Sequence, residues 1–154
     1  MKTNVKTLKD TSIEYDSDDW VFPIVSSDEF KSEYVQITKE FGFEAGHFVP
    51  NHPKRCKYVH GHSYKLFVTI GGPINESGMV MDFGDLSDAV NGIIDKFDHG
   101  FLNDYFQNPT AEIMAVYLRK TIESLLPEGI HCDEIKLYET QKCCAISRRR
   151  ITDV

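Results

Sequence analysis

Two histidines separated by one glycine, His60-Gly61-His62, are the residues of this chain best placed to do chemistry. At i and i+2 on a β-strand, their imidazoles project from the same face. His47 has core parity near the end of the strand expected before them, and a hairpin would bring the three rings together. Three neutral imidazoles without a carboxylate suit zinc, and three protein ligands leave a fourth position open, the mark of a catalytic site. A lone core histidine is usually a satisfied structural group; three that converge favour a metal. His52 and His131 fit no such pattern and read as ordinary surface or loop residues.

Cys56 stands four residues before His60, in a loop that also carries Lys54 and Arg55. Two readings are open at this point. It is a fourth ligand that closes a structural site, or a nucleophile or base beside the metal whose thiol is acidified by nearby positive charge. Cys132, Cys143 and Cys144 have no histidine at ligand spacing and read as packing residues. Asp98-His99 falls where the first helix should end. The carboxylate can orient the imidazole for a proton relay, or the histidine simply meets the helix dipole. Glu139 shares parity with Ile135 and Leu137 and should face inward, where a carboxylate needs a partner. A ligand with a guanidine-like edge would supply one; the plainer reading is a strand-end glutamate turned to solvent. Asp82 and Asp85 read as helix caps, and Arg148-Arg149-Arg150 as a solvated tail.

The elements that must position these residues follow from apolar periodicity. Val35, Ile37, Phe41, Phe43, Ala45 and His47 alternate in a long strand that starts at Tyr34. His62, Tyr64, Leu66, Val68 and Ile70 mark a second strand, ended by Gly71-Gly72-Pro73. Leu86, Val90, Ile93 and Phe97 form one stripe of a helix over 85–97. A second helix opens with Asn108 as N-cap and Pro109 at the first helical position, with Ile113, Val116, Tyr117, Leu118, Ile122 and Leu125 as its apolar side. Strands over 133–140 and 143–147 close the chain. The order β-β-α-α-β-β predicts an α+β fold: a four-stranded antiparallel sheet with two helices on one face. The other face and the edges then need cover, which points to oligomerisation.

The chain has 154 residues, enough for one domain, with 17 Lys+Arg against 24 Asp+Glu. The net charge of −7 argues against non-specific nucleic-acid binding. No apolar run suggests a membrane span, and the charged first 20 residues do not read as a secretory signal, so reduced thiols in a cytoplasm are expected. Residues 1–33 differ in composition and read as an N-terminal extension of unknown role, whose apolar patch Trp20–Val25 would dock on the core or on a neighbouring subunit.

Together these residues resemble the 6-pyruvoyl-tetrahydropterin synthase / 6-carboxy-tetrahydropterin synthase family. The resemblance rests on Phe43-Glu44-Ala45-Gly46-His47, Cys56 with His60-Gly61-His62, Met79–Leu86, Asp98–Asp104, Asn108–Glu112 and Tyr138-Glu139-Thr140, six pieces in register. It implies the tunnelling fold, assembled into a multi-subunit barrel, with residues 34–154 as the catalytic domain. It also implies a homohexamer (a dimer of trimers) with active sites at subunit interfaces. The implied roles are zinc on His47, His60 and His62, a general base at Cys56, and a relay through Asp98 and His99. Glu139 would anchor the pterin ring, and Thr110 would line that pocket. The implied substrate is 7,8-dihydroneopterin triphosphate. The short spacing from Cys56 to His60 resembles the carboxy-forming enzymes of bacterial 7-deazaguanine (queuosine) biosynthesis, which release acetaldehyde and triphosphate. The pyruvoyl-forming reaction of the biopterin branch and a non-catalytic zinc- or pterin-binding protein are the alternatives. Two features depart from the family: the first 33 residues, and Gly100, where many bacterial relatives carry a second histidine.

Overall fold

The computed structural model describes residues 24–31 and 33–150. Of the apolar patch, Trp20–Pro23 lie outside the described residues; Ile24 and Val25 are exposed. Strand β1 (Tyr34–His47) pairs antiparallel with β2 (His60–Pro73) over its whole length. Helix α1 (Phe83–Ile94), a two-residue strand β3 (Gly100–Phe101) and helix α2 (Ala111–Glu123) follow, then strands β4 (His131–Thr140) and β5 (Cys143–Arg148). The sheet order is β3-β1-β2-β4-β5.

The sheet is therefore five-stranded and mixed, not four-stranded and antiparallel: β3 runs parallel to the end of β1, with Ala45 opposite Gly100 and Gly46 opposite Phe101. A strand this short has no periodicity to read. It forms because the chain leaving α1 must return along the open edge of β1.

One sheet face and both helices share a single core. Phe41, Phe43, Tyr64, Leu66, Val68, Ile70, Ile135 and Leu137 meet Leu86, Val90 and Ile93 of α1 and Met114, Leu118 and Ile122 of α2. Each such side chain contributes about 1.5–3 kcal/mol by leaving water. The other sheet face carries mostly polar side chains, with Phe67 and Tyr138 packed edge to face among them. Thr38 and Thr69 share a hydrogen bond, Tyr34 and Gln36 both donate to Asp133, and Arg148 pairs with Glu134 at 2.6 Å. Arg148 is thus the last residue of a strand rather than part of a loose tail.

The helix boundaries shift for local reasons. Asp82 is the N-cap of α1, its carboxylate accepting from the Gly84 N–H, and Asp85 lies in the first turn instead of capping. The helix stops at Ile94, and Phe97 is buried from the turn beyond it. Helix α2 is capped by Thr110, not Asn108: Thr110 is extended and its hydroxyl accepts from the Ile113 N–H. Pro109 cannot open the helix because its carbonyl is turned toward His47. The buried stripe of α2 is Met114, Ala115, Leu118 and Ile122, with Arg119; Ile113, Val116, Tyr117 and Leu125 are exposed. Leu118 and Ile122 belong to both the expected and the observed stripe; Met114 and Ala115, rather than Ile113, Val116 and Tyr117, complete it against the sheet. Among the described residues, no helix is long and apolar enough to cross a membrane.

Candidate active site

The β1–β2 register builds the histidine group. His47 pairs with His60, and Ala45 with His62, so all three imidazoles stand together on the core face at one end of the sheet. Their ring centroids are 4.5–5.2 Å apart. One nitrogen from each lies within 4.8 Å of the others.

Carbonyl groups settle two of the tautomers. A carbonyl only accepts, so His47 donates from Nδ1 to the Pro109 oxygen at 2.7 Å, and His60 from Nδ1 to the Tyr58 oxygen at 2.7 Å. In that tautomer the Nε2 of each ring is the atom that carries a lone pair. The His47 Nε2 and His62 Nε2 atoms are buried without a hydrogen-bond partner. Such atoms are costly unless something occupies the space between them. Burial lowers the His62 pKa, which keeps the ring neutral and able to ligate; the nearby Glu139 carboxylate opposes that shift. The donor set, the convergence and the orphaned nitrogens all fit a zinc-type ion.

Glu139 reaches this group through a β-bulge. Tyr138 pairs with Cys144 and Thr140 with Cys143, which leaves Glu139 as the extra residue of β4. A bulge re-aims a side chain. Here it brings Oε1 to 3.4 Å from His47 Nε2 and 3.7 Å from His62 Nε2, with the side chain half-buried. The carboxylate is therefore not a strand-end group turned to solvent.

A cavity of about 230 Å³ opens beside the histidines, with Cys56, Thr110, Glu112 and Glu139 among its lining residues. Cys56 lies in a single helical turn (Arg55–Lys57), and its carbonyl accepts from the Val49 N–H at 2.8 Å. That bond ties the loop to the end of β1. Cys56 is outside the histidine group that could hold a metal.

Sequence reasoning missed three further lining residues. His52, read as a surface residue, and Cys143 and Cys144, read as packing residues, all border this cavity. Both cysteines are exposed and sit across the bulge from Glu139. The hairpin of β4 and β5 was legible and would have placed them there. Cys132 does pack in the core, where burial pushes its thiol up to about 12. His131 opens β4 and pairs with Glu123 at 2.9 Å.

Asp98 and His99 do not face the Cys56 cavity. They flank β3, and His99 borders a separate open cleft with Glu44, His62 and Ser63. Helix α1 ends four residues before Asp98, so the helix-dipole reading of His99 does not hold. His99 has φ +55°, uncommon for a non-glycine residue. It is held there by its N–H to the Glu44 carbonyl at 2.6 Å and its Nδ1 to Asp98 at 2.9 Å. The Glu44 N–H, which donates to Asp98 at 2.8 Å, and then His99 lower the Asp98 pKa. The next residue, Gly100, is packed tightly: a Cβ there would stand 3.0 Å from the Phe97 carbonyl oxygen.

An α+β chain with a histidine triad, an adjoining cysteine and a bulge-borne glutamate is the class that fold and site define. The family profile described as 6-pyruvoyl tetrahydropterin synthase matches residues 36–150. The chain is 34% identical over 133 residues to the 6-carboxy-5,6,7,8-tetrahydropterin synthase of Rickettsia bellii, covering 71% of this chain and 96% of that one. It is 34% identical over 105 residues to the dihydroneopterin monophosphate aldolase of Pyrococcus furiosus, covering 68% and 90%. The solved 6-pyruvoyl tetrahydropterin synthase of Caenorhabditis elegans shares the fold at a TM-score of 0.68 and 22% identity, over 79% of this chain and 99% of that one. The chain belongs to the 6-pyruvoyl tetrahydropterin synthase family and is a lyase of it.

Proposed function

We propose that this chain is a zinc-dependent lyase that converts 7,8-dihydroneopterin triphosphate and one water to 6-carboxy-5,6,7,8-tetrahydropterin, with release of acetaldehyde and triphosphate, in 7-deazaguanine (queuosine) biosynthesis. The observation that carries this is the pair of buried, unpartnered Nε2 atoms of His47 and His62 beside a cavity bordered by Cys56, Thr110 and Glu139. The short spacing between Cys56 and His60 and the name of the Rickettsia relative support the carboxy-forming branch.

In this reading His47, His60 and His62 hold zinc, which lends Lewis acidity to the hydroxyls of the substrate side chain. The Glu139 carboxylate accepts two parallel hydrogen bonds from the 2-amino group and ring N–H of the pterin. Thr110 borders the ring and starts α2. Cys56, as thiolate, takes a proton from the side chain that Glu139 has positioned. Asp98 stays ionised and orients His99 through Nδ1, which leaves Nε2 to move a proton. Because His99 opens onto a different cleft from Cys56, the complete site needs the relay of one subunit beside the cavity of another. A homohexamer with interfacial sites satisfies that need.

Mass spectrometry of the product from 7,8-dihydroneopterin triphosphate tests the proposal. A carboxy-tetrahydropterin with acetaldehyde is expected. A pyruvoyl product would move the chain to the biopterin branch. No conversion, with cleavage of the monophosphate instead, would align it with the Pyrococcus aldolase.

A further inference from the structure

We infer that Asn103 is a positioning residue for the histidine triad. The inference rests on the zinc reading above and extends it to a residue that touches neither metal nor substrate. Strand β1 ends at His47, and its neighbour β3 ends at Phe101, opposite Gly46. Beyond that point, among the described residues, no strand pairs with this edge of β1. The Asn103 side chain supplies one. Its Oδ1 accepts from the Phe48 N–H at 2.9 Å and its Nδ2 donates to the Phe48 carbonyl at 3.0 Å. An amide is the side chain that offers a donor and an acceptor side by side, so Asn103 extends the ladder by one residue.

The same segment touches the triad a second time. Six residues after Asn103, the Pro109 carbonyl accepts a hydrogen bond from Nδ1 of His47, a side chain only 1% exposed. Residues 103–109 are thus clamped to β1 at both ends, at Phe48 and at His47. The Pro109 bond decides which nitrogen of His47 carries the proton, and so whether Nε2 presents a lone pair to the other two rings. The buried Leu102 and the Thr110 cap hold the flanks of the segment. Removing the Asn103 clamp loosens the segment at one end, which weakens the hold of the Pro109 carbonyl on His47.

The test uses the full chain with Asn103→Leu, Asn103→Asp and, as a control, the core variant Ile122→Val. Zinc affinity is measured by competition with a chromophoric chelator, and the His47 tautomer by nitrogen-15 NMR of the metal-free proteins. Losing the partner of a ligating histidine typically weakens metal binding about 10–100-fold. Asn103→Leu should lose that much and show a mixed His47 tautomer. Asn103→Asp keeps the acceptor and should fall between; it carries the test if the leucine variant does not fold. Ile122→Val should lower the thermal midpoint yet bind zinc like the parent. Parental zinc affinity in both Asn103 variants would overturn the inference, as would an equal loss in Ile122→Val. If the parent chain bound no zinc, the triad reading would fail separately. An unchanged His47 tautomer in Asn103→Leu would then also refute the role of Asn103.

Discussion

Replacing Glu139 by Gln separates the two tasks its position allows, anchoring a pterin or serving as a fourth ligand. Its Oε1 lies 3.4 Å and 3.7 Å from the two orphaned Nε2 atoms, so it is near enough to swing either way. Glutamine keeps the shape, removes the charge, and sets an N–H against one of the pterin donors. A hydrogen bond to a charged acceptor contributes about 1.5–3 kcal/mol. Losing one of two such bonds should raise the dissociation constant for a non-reactive pterin about 10–150-fold. Fluorescence titration of neopterin into the zinc-loaded protein reads this directly, and metal analysis of the same samples should still find one zinc per chain. Pterin affinity close to the parent's, with zinc lost, would refute the anchoring argument and make Glu139 a ligand.

Three further outcomes follow from the geometry. In the proposed shared site, Cys56→Ala and His99→Ala should each lose most of the activity, but equal amounts of the two subunits unfolded and refolded together should regain about one quarter of the parental activity, because one interface in about four would then pair an intact Cys56 with an intact His99; no recovery would place both residues in one chain's site. The Asp98 carboxyl should titrate below the ordinary range by carbon-13 NMR, and still below it in His99→Ala, because the Glu44 N–H is the larger cause. Since the folded value is depressed, any stability it brings is present above the usual carboxylate pKa and fades as pH falls through the folded value; an ordinary midpoint would contradict the Glu44 contact. Thr110→Ala should cost about 0.5–1 kcal/mol, at the low end for an N-cap because its bond to the Ile113 N–H is long, 3.4 Å. Differential scanning calorimetry showing no loss would mean that the cap contributes nothing.

The parts of the site carried by regular alternation were legible from residue types alone. The parity of His47, His60 and His62 on two long strands was sufficient to bring them together, because register in a half-buried hairpin leaves little freedom. The inward parity of Glu139 was legible too, but the bulge that aims it was not, since a bulge is a mismatch between two strands and leaves no pattern in one. Helix α2 starts two residues later than Asn108-Pro109 suggests, with Thr110 as its cap and the Pro109 carbonyl accepting from His47, a contact 62 residues away that no local pattern announces. The β4–β5 hairpin that places Cys143 and Cys144 at the cavity was legible, but the cysteines themselves carry no spacing that marks them as lining residues. The family resemblance assigned roles that spacing alone left open, Cys56 as a base above all.

In the proposed site the triad holds the metal while Cys56 does chemistry beside it. Metal content and turnover of Cys56→Ala, measured together on the zinc-loaded protein, test that most directly. One zinc per chain with turnover reduced about 100–10,000-fold, the usual contribution of a positioned base, is the expected result. Loss of the zinc along with activity would make Cys56 a ligand, and full turnover with zinc retained would remove it from the reaction.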